Sequence, residues 1–239
     1  MGGGEFLDHV VLKPSFTEED ARDLCKVLLE TVKYCHDRGV VHRDLQPENL
    51  LMGDDGGGGM KLTNFGQARC VFRGDLTEIC GTPEYMAPEM LRGIPYGASV
   101  DVWSAGVIIF TLLVGSLPFH DQDQTRLFHN IKAGNFSFDE EYWGGISNEA
   151  KDLVRKLLTV DCTKRVTASV AIGHPWLRAK GRSLACRNLQ NNVEQLQLFN
   201  ARRKLRRAVR LRFSKTTRLE RQYQRCSVDS PDLRYLQTE

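Results

Sequence analysis

The chain has 239 residues, 41% hydrophobic and 26% charged, with 21 Gly and 8 Pro that follow no period; this is enough apolar content for a packed core and excludes a wholly disordered or collagen-like chain. The formal net charge of +3 hides a division, because residues 1–200 carry 21 basic and 26 acidic side chains while 201–239 carry 12 and 4. A mildly acidic body with a strongly basic end points to something anionic as the partner of that end. The seven cysteines are odd in number and never spaced as Cys-x-x-Cys, and no basic-then-apolar leader opens the sequence. Reduced thiols in a cytoplasmic or nuclear setting, without a zinc site, are the expectation.

Thr17 is placed to cap a helix in which Ala21, Leu24, Cys25, Leu28, Val32 and Cys35 recur at three- and four-residue steps until Gly39 offers a stop. Short apolar pieces follow at Val40-Val41, Leu50-Leu51-Met52 and Met60-Lys61-Leu62, split by Gly53-Asp54-Asp55 and four glycines, and they predict a small β-hairpin. The run Gly56–Gly59 is a poor phosphate cradle, since a strand-like segment rather than a helix follows it. Val102–Phe119 is a mostly apolar stretch opened by Asp101, interrupted by Ser104, Gly106 and Gly115 and ended near Pro118, which reads as a buried helix rather than a membrane span. Further helices are predicted near 122–133, ending at Gly134, and from Ser147, with Ala150, Leu153, Val154, Leu157 and Leu158 on one face. A basic helical pattern runs from about Asn191 to Arg218, and the last twenty residues read as a loose end.

The chemistry-bearing residues are grouped. His42-Arg43-Asp44-Leu45-Gln46-Pro47-Glu48-Asn49 combines an Asp suited to orienting a hydroxyl with an Asn suited to coordinating a cation. Asn64-Phe65-Gly66 comes next, then Gly81-Thr82-Pro83-Glu84-Tyr85-Met86-Ala87-Pro88-Glu89, Asp101-Val102-Trp103-Ser104-Ala105-Gly106 and, after Asp161, Arg165. In this order the motifs resemble the catalytic loop, metal-binding triplet, peptide-positioning segment, central helix and terminal arginine of a eukaryotic protein kinase. The resemblance implies that Asp44 is the catalytic base, that Asn49 and Asn64 hold ATP-bound magnesium, and that Glu89 and Arg165 form a buried ion pair. His42, Phe65, Asp101 and Trp103 are expected as core residues. Within the family the chain is most similar to calcium/calmodulin-dependent serine/threonine kinases, on Gly3-Gly4-Glu5-Phe6-Leu7-Asp8, on Pro47-Glu48-Asn49 and on Leu198-Phe199-Asn200-Ala201-Arg202-Arg203-Lys204-Leu205. That likeness implies Ser/Thr specificity, with Thr82 beside Asp44, and an acidic rim of Glu5 and Glu48 for a substrate arginine.

The sequence also departs from the family. Asn64 stands where the triplet has Asp, and a neutral amide oxygen holds magnesium less tightly, by about 1.5–3 kcal/mol on the scale of charged hydrogen bonds. Gln46 stands where the family has the lysine that touches the transferred phosphoryl group, and each ~1.4 kcal/mol lost there costs roughly tenfold in rate. The sequence holds no glycine-rich loop and no Val-Ala-Ile-Lys strand, so weak ATP and Mg2+ binding and little or no activity are expected of it. The resemblance also implies that Arg43 seeks an anion in the segment near Thr77, where Glu78 is placed to supply that charge permanently.

Between Arg202 and Arg218 there are nine Lys or Arg and no acids, with Leu198, Ala201, Leu205, Ala208, Val209 and Phe213 on one face. Leu198, Leu205 and Leu211 have the spacing of a calmodulin-anchoring helix; a nuclear-localisation signal, a membrane-surface helix and packing on the body remain open beside it. The resulting expectation is a mainly α fold of the α+β superfamily: residues 1–178 as the C-terminal lobe of a kinase-like domain with a small β-hairpin, 179–218 as a regulatory, calmodulin-binding helix, and 219–239 as a disordered tail. The function expected is that of a Ser/Thr kinase-like domain, weak or inactive, in the cytoplasm or nucleus, with protein substrates, calmodulin or a full kinase as partners, and with neither nucleic acid nor a transmembrane span. The alternative is a pseudokinase scaffold that binds calmodulin or a full kinase.

Overall fold

Thr17 does what its position predicts. In the computed structural model, which describes residues 4–53, 59–71, 76–179, 184 and 186–228, with side chains as far as 209, two helices come first, α1 (Phe6–Val11) and α2 (Glu18–His36). The Thr17 hydroxyl accepts from the Asp20 amide (3.2 Å) while the Asp20 carboxylate accepts from the Thr17 amide (2.9 Å), a reciprocal cap that satisfies two otherwise orphaned donors. Glu18, in the same first turn, is fully buried and accepts from the Ser147 amide and hydroxyl and from Trp176 Nε1 (2.8 Å), so the start of α2 is tied to two distant segments.

The strand-like pieces form two antiparallel ladders rather than one. β1 (Val40–Val41) pairs with β4 (Arg69–Cys70), and β2 (Leu50–Met52) pairs with β3 (Met60–Leu62) in the register Leu50 opposite Leu62. The second ladder is the expected hairpin, closed by Gly53 N–H donating to Gly59 C=O (2.8 Å); of the Gly56–Gly59 run only Gly59 lies within the described residues. Between the ladders and beyond them the chain makes short 3₁₀ turns at Pro47–Asn49, Phe65–Gln67 and Pro83–Tyr85.

The helices α3 (Pro88–Leu91), α4 (Ser99–Val114), α5 (Gln124–Ala133), α6 (Glu140–Trp143), α7 (Asn148–Leu157), α8 (Ala168–Ile172), α9 (Pro175–Arg178) and α10 (Gln190–Val228) complete the chain. Every residue of α4 from Val100 to Val114 is buried, as a helix apolar on all sides must be, and α2 and α7 pack against it. No described helix is long and apolar enough to cross a membrane. Trp103 of α4 stacks on Phe119 at 5.5 Å, and Phe110 packs its ring against Phe136 and Trp143.

The chain divides into two units, Met1–Leu198 and Phe199–Glu239. The first unit reaches residue 198 because Leu189 and the first two turns of α10 join its core: Leu189, Val193 and Leu196 are buried, and Asn192 Nδ2 donates to the Leu113 carbonyl at 2.8 Å. Gly115 permits this contact, since it has φ 79° and a Cβ on it would lie 2.5 Å from the Leu196 nitrogen. The second unit is the remainder of α10, in which Arg203 donates to Asn200 Oδ1 (2.7 Å). The helix runs to Val228, past the expected end at Arg218, and the stretch 219–228 contains neither Gly nor Pro to stop it. The rest of the tail lies outside the described residues.

Candidate active site

The loop after β1 is held by a single carboxylate. Asp101, buried near the start of α4, accepts from the His42 amide through Oδ2 (2.8 Å) and from the Arg43 amide through Oδ1 (2.9 Å), and His36 Nε2 lies 3.0 Å from Oδ2. Two successive amides aimed at one carboxylate require a bent backbone, and Arg43 accordingly sits at φ 67°, in the left-handed region. Asp101 is therefore more than a core residue, because it fixes the backbone that presents Asp44.

Asp44 is half-buried and richly bonded. Its Oδ1 accepts from Gln46 Nε2 (3.1 Å) and from Thr82 Oγ1 (3.0 Å), and Asn49 Nδ2 donates to its carbonyl (2.7 Å) and lies 3.5 Å from Oδ2. Asn49 is buried at the end of the first 3₁₀ turn, and its carbonyl accepts from the Thr63 amide (2.9 Å), which draws the end of β3, and with it Asn64, toward the loop. Asn64 adopts φ 62° and is exposed. Phe65, expected in the core, is 46% exposed: it sits in a 3₁₀ turn with its ring edge-on to that of His42, centroids 5.0 Å apart.

An amide that donates through Nδ2 offers a cation only its neutral oxygen, so Asn49 and Asn64 together present two uncharged ligands. Asp44 is already engaged by three donors, and among the described residues no three His, Cys, Asp or Glu side chains gather into a metal-holding group. Magnesium favours anionic oxygens, and this donor set fits it poorly.

The segment from Leu76 to Glu89 is tied down by charge. Arg43, its side chain fully buried, donates from Nη1 to Glu78 Oε2 (2.9 Å) and to the Tyr96 hydroxyl (3.1 Å) and from Nε to the Gln67 carbonyl (2.6 Å). The Tyr96 hydroxyl in turn donates to the Glu78 carbonyl (2.5 Å); burial raises its pKa, which keeps the proton in place at neutral pH. The hydrogen bond from Arg43 and the charge behind it hold the Glu78 carboxyl below its ordinary range. Thr77 is exposed beside this cluster. Gly81, at φ 97°, passes so close to the loop that a Cβ would lie 2.6 Å from the Arg43 carbonyl, and this approach is what lets Thr82 reach Asp44. At the end of the segment Arg165 grips Glu89 through both carboxylate oxygens (2.6 and 2.9 Å), donates to the Ser99 and Thr159 carbonyls and lies over the Trp103 ring; both charged side chains are buried.

Several of the residues singled out in the sequence thus meet: Asp44, Gln46, Asn49 and Thr82 in one cluster, Arg43 and Glu78 in a second, Glu89 and Arg165 in a third. Glu5, at the start of α1, bridges to Leu51 of β2, and Glu48 lies in the 3₁₀ turn against which α1 packs. On α10, Leu198, Leu205 and Val209 are exposed, whereas the side chains of Leu211 and Phe213 lie outside the described residues. Tyr96 and His36 escape sequence reasoning because nothing local marks a loop tyrosine or a helix-end histidine as a partner for residues far along the chain. The signal for Gly81 was present, in a Gly-Thr-Pro turn that a side chain would obstruct.

Residues 1–177 match the family model of the protein kinase domain. The calcium/calmodulin-dependent protein kinase type 1 of Macrobrachium nipponense is 46% identical over 208 residues, 86% of this chain and 60% of that protein. The calcium/calmodulin-dependent protein kinase type II subunit delta of Oryctolagus cuniculus is 44% identical over 211 residues, 87% of this chain and 39% of that protein. The chain therefore spans less than two thirds of the length of either relative.

Proposed function

This chain belongs to the protein kinase family, and from that premise we propose that it is a serine/threonine kinase-like module of the calcium/calmodulin-dependent group in which recognition outlasts turnover. The observation that carries this reading is the bonding of Asp44. A carboxylate held by Gln46, Thr82 and Asn49 is oriented for a substrate hydroxyl, which it would align and relieve of its proton as the oxygen attacks the γ-phosphorus of ATP and the bond from that phosphorus to the leaving ADP breaks. The family's magnesium, when bound, neutralises charge on the phosphates. Here Asn64 and Asn49 offer that ion no charge, and Gln46 puts an amide dipole where the family has a cation. Asp44 therefore keeps its orienting role while stabilisation of the developing phosphoryl charge falls. Glu78, bonded to Arg43, gives the 76–89 segment its anion without phosphorylation of Thr77, so the segment's order is constitutive. Glu5 and Glu48 favour a peptide carrying arginine.

The names of the relatives support calmodulin as the partner of α10, whose Leu205 and Val209 face solvent among cations. The neutral Asn64 favours a second reading, a scaffold that binds calmodulin or a full kinase without catalysis; either module belongs to a reducing, cytoplasmic setting. The test is ATP-dependent phosphorylation of an arginine-containing serine peptide by the purified chain, beside calcium-dependent binding of fluorescent calmodulin. Slow phosphorylation that drops at least about 100-fold in Asp44→Ala supports the first reading. Its complete absence with calmodulin binding intact supports the second, and turnover in the ordinary kinase range of about 1–100 s⁻¹ overturns both.

A further inference from the structure

The second unit carries a surface that catalysis does not use. From Phe199 onward α10 exposes Ala201, Leu205, Ala208 and Val209, with Leu205 66% and Val209 44% accessible. At 100° per residue these four occupy an arc of about 100°. Arg202 and Arg206 lie along one margin of the arc and Lys204 along the other, with Arg207 toward the opposite face, and all four are exposed. No acidic residue occurs between Arg202 and Arg218.

The composition of this face narrows what it fits. Two alanines, one leucine and one valine make a shallow apolar strip, too slight to fill a deep protein pocket by themselves but well suited to resting at the level of lipid headgroups. Long basic side chains on both margins can lay their methylenes along the acyl boundary and keep their charges at the phosphates. A cluster of this many cations on one helix is drawn to an anionic bilayer and less so to a neutral one. A nucleic acid would use the charges and leave the strip in water, so the exposed Leu205 and Val209 favour lipid.

We infer that α10 docks, through the strip from Ala201 to Val209 and its flanking arginines and lysine, on an anionic lipid surface. The inference does not depend on the catalytic reading; it competes with calmodulin for the same face, so that calcium-loaded calmodulin would lift the chain from the membrane.

The full chain is mixed with vesicles of phosphatidylcholine alone or of phosphatidylcholine with phosphatidylserine, and bound protein is measured by co-sedimentation. Binding to the anionic vesicles at least about tenfold tighter than to the neutral ones, weakening with added salt, is expected. Leu205→Glu and Val209→Glu, both at exposed positions that leave the fold intact, should each reduce it about tenfold. Equal binding to both vesicle types overturns the inference, as does no binding to either. Anionic binding untouched by either glutamate also overturns it, since that is attraction of charge to any polyanion. A parallel titration with calmodulin separates the two readings: vesicle binding without calmodulin binding sinks the calmodulin proposal and leaves this one standing, and the reverse result sinks this one.

Discussion

Between Leu76 and Glu89 the chain meets the rest of the domain through ion pairs, Glu78 with Arg43 and Glu89 with Arg165, whereas Asn49 and Asn64 present only neutral amides. Both regions converge on Asp44, the first through Thr82 and the second through Asn49. On the proposed reading, the ordering of the 76–89 segment and the handling of phosphate charge are separable. The first is built from side chains that satisfy one another without a ligand, and on the proposed reading it stands even where the second is weakened.

The comparison can be broken most severely at its strongest pair. Replacing Arg165 by Met leaves Glu89 buried without its partner, and a loss of about 3–5 kcal/mol in unfolding free energy is expected from urea denaturation. A loss under about 1 kcal/mol would show that the pair does not anchor the segment. The second experiment sharpens the contrast by restoring charge: Gln46→Lys with Asn64→Asp should raise the phosphorylation rate at least about tenfold for each charge regained, measured on the same serine peptide. No gain would mean that charge is not what this region lacks. The smallest effect concerns pH. The Glu78 carboxyl sits below its ordinary value of 4.5, so its pairing with Arg43 is fully present above that value and is lost as pH falls through the depressed one. The Tyr96 ring signals in an NMR titration should hold steady from neutrality down to about pH 5 and shift below 4.5, and Glu78→Gln should remove that transition. A transition retained in the variant would assign it to another group.

Much of the scaffold was legible in the sequence because its signals are local. Thr17 and Ser147 cap the helices they precede, Gly134 closes α5, and the all-apolar α4 could only be interior. The membership of the Asp44 cluster was legible through motif order, since Asp44, Asn49 and Thr82 stand in segments whose resemblance places them together. What escaped is long-range. The carboxylate of Asp101 reaches back 58 and 59 residues to two backbone amides, and its grip on the loop leaves no trace in local periodicity. Tyr96 joins Arg43 to Glu78 from a loop whose composition marks it only as a turn. That residues 189–198 join the first unit has no mark in the sequence, because the apolar pattern of Leu189, Val193 and Leu196 merges without a break into the basic helix that follows. The exposure of Phe65 was missed because its place in the core was expected from the family resemblance alone, with no periodic apolar pattern around it.

Asn192 reaches across to the last turn of α4, where its amide answers the Leu113 carbonyl, and Leu196 presses on Gly115 next to it. Trimming the polypeptide at residue 178 to isolate the body from its basic end would thus expose the Leu113 carbonyl and uncover the pocket that Val193 and Leu196 fill. A proteolytic fragment ending there should precipitate, while one cut just after Leu198 keeps this plug and stays in solution.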